Sequence, residues 1–117
     1  MKSTTPKKPS LLTEPPKPVY EKELKFEGGV SRQMLSCTKR LTIRRGKRFF
    51  QRSITIHGYP AIVESWRHTT LLHTDFKILA EQGFKNMFNT LLILQRFYPG
   101  IDINTEITIV EYRMLPY

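Results

Sequence analysis

Thr38-Lys39-Arg40-Leu41-Thr42-Ile43-Arg44-Arg45-Gly46-Lys47-Arg48-Phe49-Phe50-Gln51-Arg52-Ser53-Ile54-Thr55-Ile56-His57 is the stretch on which the fold turns. From Thr38 to Arg45, Leu41 and Ile43 fall on one face and Arg40, Thr42 and Arg44 on the other, which is the alternation of a half-buried strand. The outer face of that strand is cationic. Arg45-Gly46-Lys47 reads as a turn, and Arg48 to His57 reads as a second strand with Phe50, Arg52, Ile54 and Ile56 on one side. The expectation is a basic β-hairpin.

Downstream, Tyr59-Pro60 reads as a helix entry, since proline suits the first helical position, and Ala61 to Leu72 carries Ile62, Val63, Trp66 and Thr70 at helical spacing. A second helix is expected from Asp75, an N-cap residue, to Phe97. Its broad apolar stripe runs through Phe76, Leu79, Ala80, Gly83, Phe84, Met87, Phe88, Leu91, Leu92 and Leu94. Pro99-Gly100 ends that helix, and Ile103, Thr105, Ile107 and Ile109 alternate with polar residues as a last strand. The predicted order is β-β-α-α-β, an α+β fold with a small antiparallel or mixed sheet packed against two helices.

Upstream, residues 1–23 form an expected disordered basic arm holding Pro6, Pro9, Pro15, Pro16 and Pro18 with Lys2, Lys7, Lys8, Lys17 and Lys22. Such a segment buries too little apolar surface to offset its ordering entropy. Pro15-Pro16-Lys17-Pro18-Val19-Tyr20 suits a polyproline II ligand for an SH3- or WW-type host protein; the alternative is a plain tether. Residues 24–117 are expected to form one compact domain, with Gly28-Gly29 as an early turn.

The chain of 117 residues carries 19 Lys and Arg against 10 Asp and Glu, a formal charge of +9. No acidic residue lies between Glu27 and Glu64, while Arg32, Lys39, Arg40, Arg44, Arg45, Lys47, Arg48 and Arg52 fall in that gap. So concentrated a charge attracts phosphate on nucleic acid, lipid headgroups or ribonucleoprotein. Phe49 and Phe50 beside these cations fit three arrangements: stacking on unpaired bases, insertion into the acyl boundary of a membrane, or one ring in the core and one on the rim.

Catalytic and metal chemistry lack a constellation. Cys37 is the single cysteine, which excludes an intrachain disulfide and fits a reducing compartment. His57, His68 and His73 are scattered, and on a helix the last two would sit about 140° apart. Cys37 and His57 across the hairpin have no orienting carboxylate, and no nucleotide-binding glycine motif occurs. No enzyme activity, cofactor or metal is expected. No window approaches the roughly 18 apolar residues of a membrane span, so membrane contact would be peripheral.

The order of features resembles the matrix proteins of vesicular-stomatitis-like rhabdoviruses and the small matrix-like accessory proteins of related viruses. Arg40 to Phe50 looks like the family's first strand and basic turn. Ala61-Ile62-Val63-Glu64-Ser65-Trp66 looks like its first helix ending in Ser-x-Trp, Phe76-Lys77-Ile78-Leu79-Ala80 like its Lys-Ile-Leu-Ala helix start, and Glu106-Ile107-Thr108-Ile109 like a later strand. The Pro-rich arm echoes its late-domain motif, but Pro18 stands where Pro-Pro-x-Tyr requires Tyr. The large middle-to-C-terminal part of a full matrix protein has no counterpart, so the resemblance implies an accessory or minimal matrix protein.

By that resemblance the chain is expected to contact anionic membrane and viral ribonucleoprotein, to self-associate and to interfere with host expression, in the host cytoplasm, at inner membrane faces and in the virion. The expected contact residues are Lys39, Arg40, Arg44, Arg45, Lys47, Arg48, Phe49, Phe50 and Arg52, joined by Lys7, Lys8, Pro15, Pro16, Pro18 and Tyr20 of the arm. The alternative is a small RNA-binding protein, a silencing or interferon antagonist, using the same segment.

Overall fold

The computed structural model describes residues 18–32 and 34–116. Its strands are β1 (Tyr20–Leu24), β2 (Arg40–Arg45), β3 (Phe49–Ile56), β4 (Tyr59–Thr69) and β5 (Ile107–Met114). Between β4 and β5 come the one-turn helix α1 (Phe76–Ala80) and the longer α2 (Met87–Phe97), and 3-10 turns occupy Met34–Ser36 and Leu71–His73. The strands make one mixed sheet in the order β1-β3-β4-β5-β2, parallel only between β1 and β3. An α+β class with a mixed sheet was legible; five of its parts differ from the expectation.

The basic hairpin does not form. Both strands are present, but β2 pairs with β5, from Arg40↔Tyr112 to Arg45↔Ile107, and β3 pairs with β4. A two-residue hairpin with a type I′ turn needs two successive residues with positive φ. Between β2 and β3 only Gly46 has one (φ 89), whereas His57 (φ 50) and Gly58 (φ 86) meet the requirement between β3 and β4. The true hairpin therefore turns at His57-Gly58 and closes on the pair Ile56↔Tyr59. Gly46 to Arg48 instead cross from the β2 edge to β3 past Thr108 of β5. The Gly46 N–H donates to the Glu106 carbonyl (2.8 Å) and the Arg48 N–H to Thr108 Oγ1 (2.9 Å). Thr108 Oγ1 donates in turn to the Gly46 carbonyl (2.7 Å).

The expected helix over 61–72 is a strand. Pro60 pairs with Thr55 inside the sheet, and β4 runs along β5 from Ala61↔Met114 to Thr69↔Ile107. The register shifts between Val63 and Ser65. One extra residue there moves the alternation from Ala61 and Val63 to Trp66 and His68, and a two-residue period with one added step imitates helical spacing.

The expected helix over 75–97 is interrupted. Asp75 does cap α1, its Oδ1 accepting from the Lys77 N–H (2.9 Å). Gly83 then adopts φ 90, and Asn86 starts α2 afresh, its Oδ1 accepting from the Asn89 N–H (2.8 Å). The last strand begins at Ile107 rather than Ile103, because Asp102 closes a turn: its carbonyl accepts from the Thr105 N–H (3.2 Å) and its Oδ1 from the Asn104 N–H (2.8 Å). Finally, β1 draws Tyr20 to Glu23, assigned to the arm from sequence, into the sheet beside β3.

Two cores lie on the two faces of the sheet and share β5. Val110, Tyr112 and Met114 pack with Leu24, Phe50, Ile54, Ile56, Ala61 and Val63, covered by the loop carrying Phe26, Val30 and Met34. Ile107 and Ile109 pack with Ile43, Leu71, Leu79, Leu94 and Ile101 under the helices. Phe26, just beyond β1, reaches the Tyr112 ring of β5 (centroids 5.6 Å) and lies under Arg44 of β2 (4.6 Å). The sheet thus curls until its two edge strands approach each other.

Candidate nucleic-acid interface

The broken hairpin disperses the residues expected to act together. Lys39 is exposed and pairs with Glu111 (3.8 Å). Arg40 hydrogen-bonds the Tyr112 hydroxyl on the inner face of the sheet. Arg44, expected on a solvated face, is half-buried; desolvation lowers its pKa, and its Nε is buried with no hydrogen-bond partner among the described residues. Phe50 is a core residue, 3% exposed, so it cannot pair with Phe49 as a membrane wedge. Arg52 is exposed on β3, within electrostatic reach of Glu64. Of the arm residues, Pro18 is exposed coil, while Lys7, Lys8, Pro15 and Pro16 lie outside the described residues.

What the fold does assemble is an aromatic cluster beside the crossover loop. Phe49 meets Tyr20 (centroids 5.7 Å), Trp66 (5.3 Å) and His68 (5.0 Å), all edge to face. Tyr20 also reaches Trp66 (6.4 Å), and Trp66 lies 5.3 Å from His68. Tyr20 is the outermost ring, 48% exposed, and the other three are half-buried beneath it. His68 Nε2 donates to the Arg48 carbonyl (2.7 Å), which fixes the proton on that nitrogen and ties the cluster to the loop.

The loop supplies charge in two forms. Arg48 is held: its Nε donates to Glu21 Oε2 (2.7 Å) and its Nη2 to Oε1, and the hydrogen bond to Glu21 raises the arginine's pKa. Arg45 and Lys47 are exposed and form no ion pair among the described residues. Lys47 stands two residues before Phe49, exposed in the loop that leads into β3.

Trp66 and His68 were missed as site residues, because on a helix they would diverge by about 200°, whereas two residues apart on a strand they share a face. Tyr20 was singled out for the arm, not for the sheet. Cys37 and His57 have separate partners: Cys37 Sγ lies 3.6 Å from the Leu35 carbonyl, and His57 Nε2 lies 3.0 Å from both the amide nitrogen and the carbonyl oxygen of Phe26. Among the described residues no three His, Cys, Asp or Glu side chains converge as a metal site requires. No helix among them is long and apolar enough to cross a membrane.

Comparison of the chain with protein-family models, with curated proteins and with solved structures finds no match.

Proposed function

We propose that this protein binds single-stranded RNA. Bases stack on Tyr20 and the rings behind it, and phosphates are held by Arg45 and Lys47. The observation that carries the reading is the four-ring cluster of Tyr20, Phe49, Trp66 and His68, fixed through His68 to a loop whose exposed cations, Arg45 and Lys47, form no ion pair among the described residues. Aromatic faces accept any base and cations accept any phosphate, so such a surface binds unpaired strands with little sequence preference. In the setting implied by the resemblance to matrix proteins, that strand belongs to a viral ribonucleoprotein.

The test is a fluorescence-anisotropy titration with single- and double-stranded RNA at several salt concentrations. Single strands should bind more tightly. Tyr20→Ala should cost about 1–3 kcal/mol of binding, and Arg45→Glu with Lys47→Glu should reduce the salt slope by about 1.4, the share of two phosphate contacts on a single strand. Binding indifferent to both changes would overturn the reading.

A second reading, contact with an anionic membrane, is favoured by α2 rather than by the basic segment. Phe88 (60% exposed) and Leu92 (53%) stand one turn apart on its outward face, between the exposed Lys85 and Arg96. That pairing of apolar side chains with cations suits a headgroup boundary. Co-sedimentation with phosphatidylserine vesicles, lost in Phe88→Ala/Leu92→Ala, separates this reading from the first.

A further inference from the structure

A groove opens where the edge strand β2 faces α2, with Phe26 as its far wall. Its volume is about 320 Å³. Phe84, Ile93 and Phe97 line its apolar side, and Thr42 and Arg44 its strand side. Phe97, 53% exposed, forms an apolar lip.

Arg44 is the unusual member. Its guanidinium rests on the Phe26 ring at 4.6 Å and is approached by the Tyr98 hydroxyl. Its Nε is buried without a hydrogen-bond partner, and the residue forms no ion pair among the described residues. A guanidinium donor removed from water and left unsatisfied is unfavourable, and an incoming anion relieves that cost. Glu27 lies at the rim, exposed, and forms no ion pair with Arg44.

We propose that this groove binds an amphipathic anion: an acyl or aryl chain of medium length, lying between α2 and Phe26, with a carboxylate or phosphate head on Arg44. The volume lies at the lower end of small-ligand sites, which favours a medium chain over a long-chain lipid. The aromatic lining supplies the apolar contact and the arginine the orientation. This site is separate from the Tyr20 cluster and does not depend on RNA binding.

The test is calorimetric titration of the full chain with sodium decanoate, decyl phosphate and 1-decanol, all below micelle formation. Decanoate or decyl phosphate should bind one to one, and decanol at least tenfold more weakly. Whichever head binds identifies the source of the anion. Arg44→Leu should erase the preference for a charged head, and Ile93→Trp, which fills the groove, should abolish binding of all three. Equal binding of decanol and the anions, or no binding of any, overturns the proposal. That comparison within the wild-type protein decides the matter even where Arg44→Leu does not fold.

Discussion

Arg48 Nε donates to Glu21 Oε2 at 2.7 Å, joining the residue that ends the crossover loop to the strand that opens the sheet. The two side chains are each about one-third exposed or less, 32% and 28%, and the pair is two-pronged. Glu21→Gln should therefore cost about 1 kcal/mol, near the upper end for partly exposed pairs. Urea denaturation reads this, and the swap Glu21→Arg with Arg48→Glu should recover part of the loss.

Thr108 is fully buried, and its hydroxyl serves both Gly46 and Arg48. Thr108→Val keeps the shape and leaves one part-buried N–H and one part-buried carbonyl without this partner, at a cost of about 1 kcal/mol. Thr108→Ser should be milder. Amide hydrogen exchange at Arg48 should accelerate in the valine variant, which ties the loss to the loop and not to general loosening.

Gly58 takes φ 86 in the β3–β4 turn, and a methyl group added there meets nothing within 4 Å. The penalty of Gly58→Ala is thus conformational alone, about 1–2 kcal/mol. Equilibrium unfolding should show this loss with an unchanged denaturant slope.

Burial pushes the Tyr112 phenol above its ordinary value of 10.0, against the opposing pull of Arg40 and Arg44. Above that pH the unfolded chain has released a proton that the folded chain still holds, so stability falls as pH rises. The contribution is whole below pH 10 and lost as pH climbs through the folded value. Midpoints of urea unfolding from pH 8 to about pH 11 should fall less steeply in Tyr112→Phe than in the wild type.

The strand over 40–45 was legible from its two-residue alternation, and that over 49–56 from Phe50, Ile54 and Ile56 despite the exposed run Gln51 to Ser53 between them; Asp75 as a cap was legible from its chemistry. The pairing was not. Gly46 marks a change of direction, but which strand receives β2 depends on β5, far along the chain. Trp66 was hidden by the bulge at Glu64, which shifts the strand period and mimics a helix. The charge of the candidate site was visible in the gap between Glu27 and Glu64, whereas the burial of Phe50 and Arg44 follows from a sheet face that no local pattern reveals.

The placement of β5 also sets an order of events during synthesis. The β3–β4 hairpin joins neighbours and can close early, but the edge strand β2 emerges before either of them and finds its partner only when residues 107–114 have been made. Until then Arg40 to Arg45 present an open strand edge, and both apolar faces lack their shared member. The density of arginine on β2 discourages that waiting strand from pairing with another copy, a protection needed for as long as the chain is unfinished.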